Sequence, residues 1–305
     1  IPGYTRRIGQ PAADLCSEWN LLLEVQHRLH ARGVPVEELL RTRSGALAFE
    51  HLGRFCRAVR FVPSRPFSGS DADLRDAGRA LGAFHAAGRA LLASDPALAS
   101  EVRLRLIRDM PLDDSFAAWP DLRDGLLRLD PATLPPSARE VAAELAEIRD
   151  GLDTRIAPLC RRAQACHRDM PAGPEGLGHF DYHPANVLFR DAEPPLILDL
   201  EQIAIGPLAK CAALGVTRFA MAARRADPSR GERSAAAAFV GGWIETFPDG
   251  AAAVAQLPDW ILLYELEKLL RILRRTLAGD VYPPMVRKIV THHLPLCERA
   301  DSFRS

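Results

Sequence analysis

The stretch that most constrains the fold of this chain runs from Gly178 to Glu201 and reads GHFDYHPANVLFRDAEPPLILDLE. It contains two short apolar runs, at 187–189 and 196–198. The segment 191–195 between them carries charged residues and two prolines, which favour a turn. This pattern predicts a β-hairpin, preceded by a loop that is rich in histidine, aspartate and asparagine.

The polar residues around this hairpin suit phosphoryl transfer. That reaction needs a carboxylate to orient the attacking hydroxyl group, and hard oxygen ligands for a Mg²⁺ ion that neutralises phosphate charge. Asp181 and Asn186 in the loop, with Asp199 at the end of the second strand, supply such a set. A metal-dependent hydrolase that uses His179, Asp181 and His183 is an alternative, but it leaves Asn186 and Asp199 without a role.

The remaining pattern predicts a small α+β region followed by a long helical one. Helical periodicity covers 14–32, while strand signals occur at 3–8, 39–43, 46–50 and 55–62. After a loop at 63–70, helices are predicted at 71–92, 97–109, 111–128, 136–166, 208–226, 233–247, 257–277 and 283–298, with a loop at 171–178. We therefore predict an N-terminal lobe over 1–66 and a helical C-terminal lobe over 67–305.

The composition limits the kinds of binding partner and the cellular compartment that we expect for this protein. Lys+Arg and Asp+Glu are both 39, so the net charge of zero does not indicate a nucleic-acid-binding or anionic membrane surface. The six cysteines form no C-x-x-C pair, and no apolar run approaches the length of a membrane span. These features predict a cytoplasmic protein with reduced cysteines and a small-molecule substrate; they do not indicate an oligomeric state.

The loop and hairpin resemble the catalytic segment of the aminoglycoside phosphotransferases and their relatives, such as choline kinases. That family carries H-G-D-x-H-x-x-N, then an apolar strand ending in D-[FLW]-[DEG], whereas this chain has Phe180 in place of the glycine. The resemblance implies a bilobal, protein-kinase-like α+β fold, with ATP or another nucleoside triphosphate and Mg²⁺ as cofactors. It implies the following roles: Asp181 as catalytic base, Asn186 and Asp199 as metal ligands, and His179 and His183 as loop support.

Two other parts of the chain fit the resemblance less closely. Leu81-Gly-Ala-Phe-His85 matches the helix after the hinge, although His85 is equally well explained as a core residue. Gly206-Pro207 also matches, but Cys211 occupies the position where the family often has an aspartate that braces the catalytic loop.

The N-terminal region departs most from the family, which normally has a phosphate-covering loop, a strand lysine and a helix glutamate that pairs with it. The first 209 residues contain no lysine, so we predict Arg7, or second Arg6, as the nucleotide-binding cation. Glu18 is the predicted partner, and Phe61 and Val62 are predicted to border the adenine at the hinge. The phosphate loop is expected before Ile1; otherwise the nucleotide is held differently.

The acceptor is expected to bind between the catalytic loop and the C-terminal helices, as in the family. Glu201, Tyr264 and Glu265 are the candidate acceptor-binding residues, with Trp260 and Glu267 as further options on the same helix. An acidic pocket would favour an amine-bearing acceptor, such as an aminoglycoside or amino alcohol, and a neutral one a sugar.

The sequence therefore predicts a small-molecule kinase that transfers the γ-phosphate to a hydroxyl group. The missing lysine and phosphate loop favour an alternative, a pseudokinase-like binding or scaffold protein without turnover. The intact set of Asp181, Asn186 and Asp199 favours the enzyme.

Overall fold

A computed structural model of the chain describes residues 12–52, 54–105, 116, 118–130, 139–191, 193–280 and 282–303. For residues 12–17 and 105 it describes the backbone alone. The strand predicted at 3–8, and with it Arg6 and Arg7, lies outside the described residues.

The chain divides into two compact units. The first comprises Ile1–Arg108 and Gly173–Ala253, and the second comprises Asp109–Ala172 and Val254–Ser305. The predicted lobes at 1–66 and 67–305 follow a different criterion, the kinase-like hinge, and that boundary stays a prediction.

The described part of the first unit starts with helix α1, Ala12–Ala31, in agreement with the predicted helix. Four short strands follow: β1 Leu39–Leu40, β2 Phe49–His51, β3 Arg54–Cys56 and β4 Ala58–Val59. They form two antiparallel pairs, β1 with β4 and β2 with β3. The segments predicted as strands at 39–43, 46–50 and 55–62 are therefore strands in part, with shorter strands than predicted.

Four helices continue this unit: α2 Asp71–Ser94, α3 Pro96–Arg105, α7 Leu208–Ala226 and α8 Glu232–Thr246. Helix α2 starts where the Ser70 hydroxyl accepts a hydrogen bond from the backbone N–H of Asp73, as an N-cap should. The buried Asp73 carboxylate also pairs with the Arg65 guanidinium at 2.7 and 2.8 Å. This ion pair ties the linker before α2 to the start of the helix.

Two further strands were not predicted from the sequence. Residues 175–179 form strand β5, Glu175–His179, whereas most of that segment was predicted to be loop. It pairs along its whole length with β8, Ile203–Pro207. The predicted hairpin is present between them as β6, Val187–Leu188, and β7, Leu196–Ile197.

The second unit is helical in its described residues. It contains α4 Trp119–Arg128, α5 Ala142–Asp150, α6 Ala157–Asp169, α9 Leu257–Leu277, α10 Pro283–Lys288 and α11 Leu294–Glu298. Two predicted continuous helices are interrupted. A π-helical turn at Leu152–Ile156 joins α5 to α6, and another at Ile289–His293 joins α10 to α11.

Candidate active site

The β6–β7 hairpin brings the two ends of the motif together. Val187 pairs with Ile197, and the backbone N–H of Leu198 donates to the carbonyl of Asn186 at 2.9 Å. Asn186 and Asp199, 13 residues apart in sequence, therefore lie at the same end of the hairpin. Antiparallel pairing alone produces this convergence, as the sequence predicted.

Asp181 and Asn186 are in direct contact. The Asn186 amide donates to the backbone carbonyl of Asp181 at 3.0 Å and approaches its Oδ2 atom at 3.4 Å. Asn186 is only 8% exposed, so its side chain is held in one orientation. Both contacts use the amide nitrogen, which leaves the amide oxygen as the atom that can bind a cation. The Asp181 side chain is 42% exposed and therefore accessible to a substrate.

His179 links the catalytic loop to the hairpin. Its buried ring contacts the carbonyl of Leu198 through Nε2 at 2.8 Å and accepts the backbone N–H of Asp181 at Nδ1, at 3.3 Å. This pattern requires a proton on Nε2 and none on Nδ1. Burial lowers the pKa of His179, which keeps the ring neutral and preserves that arrangement.

His183 caps the short 3₁₀ turn that carries Asn186. Its Nδ1 atom accepts the backbone N–H of Ala185 at 3.2 Å. Its Nε2 atom lies 3.7 Å from the Asp181 carboxylate. The ring thus supports the turn and borders the candidate base.

Asp199 has a left-handed backbone, with φ 55° and ψ 58°. A residue with a side chain adopts this conformation at a cost of about 1–2 kcal/mol, so its neighbours must hold it there. The Glu37 carboxylate does so by accepting a hydrogen bond from the backbone N–H of Asp199. Glu37 pairs in turn with Arg57 at 3.2 Å, and the side chain of Gln26 on α1 donates to the Glu37 carbonyl at 3.0 Å.

Glu37 and Arg57 were not predicted as functional residues. Burial raises the pKa of the Glu37 carboxyl, although the nearby Arg57 guanidinium acts in the opposite direction. Glu37 follows α1 by only six residues, and nothing in the sequence around it marks a partner at Asp199. The contact depends on a parallel bridge between Val36 and Ile197, which only the folded chain reveals.

Two buried side chains, those of Cys211 and Tyr182, anchor the catalytic loop by hydrogen bonds. The Cys211 thiol donates to the carbonyl of His179 at 3.2 Å, and the Tyr182 hydroxyl donates to the carbonyl of Ala77 on α2 at 2.7 Å. Cys211 therefore contacts the loop from the position where the related family often has an aspartate. Burial raises the pKa of both groups, so both stay protonated donors.

Comparison with known proteins decides the family. The model of the phosphotransferase enzyme family matches residues 20–244, which is well over half of the chain. The chain belongs to this family. The resemblance drawn from the catalytic loop is thus confirmed, and the protein is an enzyme of the small-molecule kinase class. A search of curated proteins finds no match to this phosphotransferase.

Solved structures share the fold of this phosphotransferase at low sequence identity. An aminoglycoside phosphotransferase from Alicyclobacillus acidocaldarius is 16% identical with a TM-score of 0.64, and the match covers 94% of this chain and 81% of that one. A spectinomycin phosphotransferase in complex with ADP and spectinomycin is 12% identical with a TM-score of 0.62, covering 92% and 82%. Amicoumacin kinase in complex with AMP-PNP, Ca²⁺ and amicoumacin is 12% identical with a TM-score of 0.58, covering 96% and 79%. The predicted kinase-like α+β fold is confirmed.

The predicted nucleotide-binding residues of the phosphotransferase are described only in part. Arg7 lies outside the described residues, while Glu18 is partly exposed on α1. Phe61 is 86% exposed and Val62 is partly exposed. Their segment is fixed at both ends, because the backbone N–H of Arg60 donates to Glu38 and that of Arg65 to Phe189.

The predicted acceptor residues of the phosphotransferase lie in two places. Glu201 is partly exposed in the 3₁₀ turn directly after Asp199. Tyr264, Glu265, Glu267 and Trp260 all lie on α9 and are buried. The Glu265 carboxylate contacts the ring of His293 at 2.6 Å, so a histidine of this chain already occupies it.

The described helices include none that is long and apolar enough to cross a membrane.

Proposed function

We propose that this phosphotransferase moves the γ-phosphate of ATP, or of another nucleoside triphosphate, to a hydroxyl group of a small molecule, assisted by Mg²⁺. The observation that supports this most is the convergence of Asp181, Asn186 and Asp199 at one end of the β6–β7 hairpin. Phosphoryl transfer depends mainly on positioning and charge stabilisation, and this arrangement offers both.

Asn186 and Asp199 are the proposed Mg²⁺ ligands. The described contacts of the Asn186 side chain use its amide nitrogen, and Asp199 carries a carboxylate at the same end of the hairpin, so the proposed donors are the hard oxygens that Mg²⁺ prefers. The bound ion would neutralise the charge of the phosphate groups. The left-handed backbone of Asp199 and the contact with Glu37 would fix the direction of its carboxylate.

Asp181 is the proposed base. Its carboxylate is the most exposed polar group of the loop for which a contact is described, so it can reach the acceptor hydroxyl. Asn186 and His183 border it on two sides, and the backbone contact with His179 holds the residue itself in place. The role of Asp181 would be to orient the hydroxyl and take its proton.

Nucleotide binding is supported by the complexes of the spectinomycin phosphotransferase with ADP and of amicoumacin kinase with AMP-PNP. In this chain we propose Arg7 as the phosphate-binding cation with Glu18 as its partner, and the segment at Phe61 and Val62 as the border of the adenine site. The acceptor would be an aminoglycoside, an amino alcohol or a sugar, with Glu201, in the turn after the proposed metal ligand Asp199, as a candidate contact.

The decisive experiment compares the wild type with Asp181→Asn on a panel of hydroxyl-bearing amines and sugars, with ATP and Mg²⁺. We expect turnover by the wild type and a loss of at least about 10³-fold in kcat for Asp181→Asn, with nucleotide binding nearly unchanged. Asp191→Asn is the matched control, because Asp191 is an exposed aspartate of the same hairpin. Equal loss of binding and turnover in Asp181→Asn would contradict its assignment as base.

A second candidate function is a nucleotide-binding protein without turnover. It is favoured by the absence of lysine from the first 209 residues. A thermal shift with ATP and Mg²⁺ but no phosphorylated product from any acceptor would support this alternative. The absence of both shift and turnover would exclude both candidates.

A further inference from the structure

A second cluster of metal-binding side chains lies in the helical unit. Glu265 on α9 meets His292 and His293, which are neighbours on the π-helical turn at Ile289–His293. One ligand atom from each of the three lies within 4.8 Å of the other two. π-Helical turns occur often at functional sites, and here the turn presents two successive imidazoles to one carboxylate.

The distances bring the three side chains within reach of one metal ion. One oxygen of Glu265 lies 2.6 Å from Nδ1 of His293 and 3.8 Å from Nε2 of His292. Bonds of about 2.0–2.2 Å to a zinc ion place tetrahedral ligands about 3.3 Å apart. The first distance is shorter than that value by about 0.7 Å and the second is longer by about 0.5 Å, so the side chains would have to shift by amounts of this order to bind the ion.

The surroundings of the cluster favour a cation. The Glu265 side chain is 1% exposed, and a carboxylate buried to this degree needs positive charge beside it. The ring of His293 is also buried, and its Nδ1 atom faces the Glu265 carboxylate at 2.6 Å.

The nearby thiol does not join the site. The sulfur of Cys297 is not among the ligand atoms that lie within 4.8 Å of one another, and it contacts the carbonyl of Leu262 at 4.0 Å. The donor set is therefore two imidazole nitrogens and one carboxylate oxygen, which suits zinc and similar divalent transition metals better than Mg²⁺.

We propose that Glu265, His292 and His293 bind one divalent transition-metal ion of the zinc type, with a water molecule as fourth ligand. The ion would replace the proton between His293 and Glu265, and that proton would pass to solvent. The site differs from the proposed Mg²⁺ site in its residues and in its donor atoms, and it does not depend on the phosphotransferase reaction.

The test uses the full chain without an affinity tag, first freed of metal with a chelator and then exposed to Zn²⁺ or Co²⁺. We expect about one equivalent of zinc to remain after gel filtration, and Co²⁺ to give the visible absorption of a tetrahedral complex. The variants His292→Ala and Glu265→Gln should each lower metal affinity at least about tenfold. His51→Ala is the matched control, since His51 is exposed in the other unit and should leave binding unchanged.

Two results would overturn the proposal. One is a wild type that retains no zinc; the other is zinc binding that survives His292→Ala and Glu265→Gln but is lost in His183→Ala, which would assign the metal to the catalytic loop. If the buried Glu265→Gln variant does not fold, His292→Ala decides, because His292 is the most exposed of the three ligands. Asp181→Asn should bind zinc as the wild type does.

Discussion

Cys211 supports the catalytic loop as a donor, and this determines which substitutions it tolerates. Its thiol donates to the carbonyl of His179 in a fully buried setting. An ionised carboxylate at this position would face a carbonyl oxygen, so Cys211→Asp should lower the free energy of unfolding by about 3 kcal/mol or more. Cys211→Ser keeps a donor and should cost about 1 kcal/mol. Urea denaturation at neutral pH measures both values.

The response of Cys211→Asp to pH tests the cause of its instability. A protonated carboxyl can donate to the His179 carbonyl as the thiol does, so the variant should recover part of its stability as the pH falls towards 4. The related family often has an aspartate at this position. A variant as stable as the wild type at neutral pH would therefore mean that the loop can turn backbone N–H groups towards a carboxylate, contrary to the contact in this structure.

Glu37 contacts the backbone of Asp199, the proposed metal ligand. Because the Glu37 carboxylate accepts the N–H of the left-handed Asp199, Glu37→Ala should release that strained conformation. We expect kcat/KM to fall about 10–100-fold, with a rise in the Mg²⁺ concentration needed for half-maximal rate. Glu37→Gln keeps an oxygen acceptor and should restore most of the activity. Steady-state rates over a Mg²⁺ titration would measure these effects.

The neighbouring residue provides the control for Glu37. Glu38 pairs with Arg60 at the surface, and no contact joins its side chain to the described residues of the hairpin. Glu38→Ala should therefore leave the Mg²⁺ dependence unchanged. A Glu37→Ala enzyme with wild-type Mg²⁺ dependence would show that the turn after β7 holds Asp199 without this contact.

At the scale of elements, helices α2 and α8 pack closely where each has a glycine against the backbone of the other. A Cβ atom at Gly78 would lie 2.0 Å from the carbonyl oxygen of Phe239, and one at Gly242 would lie 2.0 Å from that of Arg75. Gly78→Ala and Gly242→Ala should therefore force the helices apart and lower the free energy of unfolding by about 1–3 kcal/mol or more. Thermal or urea denaturation measures the loss.

Gly241 gives a control within the same helix, because a Cβ atom there meets nothing within 4 Å. Gly241→Ala should raise stability by about 0.5–1 kcal/mol, the ordinary preference of a helix for alanine. A stabilising effect at Gly78 as well would mean that the two helices do not approach as closely in solution.

The elements also show how far the sequence could predict the structure. Helices such as α1 and α9 follow from apolar periodicity, and the β6–β7 hairpin follows from two apolar runs around prolines, so the core of the candidate site was predictable. Strand β5 was not, because three of the residues in Pro174–Gly178 are proline or glycine and its partner β8 lies 24 residues away even at their closest pair, His179 and Ile203. That pairing is a tertiary contact without a local signal. The same holds for Glu37, whose role depends on a bridge between distant segments.

At the scale of the whole molecule, several buried groups without an ion-pair partner are shifted towards their neutral forms. Burial lowers the pKa of His85 to about 3 and also lowers that of His179. Burial raises the pKa of Cys160 to about 12. The neutral His85 ring accepts a hydrogen bond from the Trp243 indole at 3.0 Å, which confirms its place in the core between α2 and α8. Stability should therefore depend on acid pH through these buried histidines.

The pKa of His85 determines the direction of this change in stability and the pH range over which it occurs. Its pKa is about 3 in the folded protein against 6.5 in the unfolded chain, so the unfolded state binds one more proton between those values. The free energy of unfolding should thus fall as pH is lowered from 6.5, by up to about 1.4 kcal/mol per pH unit for this histidine. In His85→Asn the amide oxygen can still accept from Trp243, and this contribution to the slope should disappear. Urea denaturation of the wild type, His85→Asn and the exposed control His51→Asn between pH 7.5 and 5 measures the difference. Equal slopes for the wild type and His85→Asn would mean that the folded protein admits a proton to this ring near neutral pH.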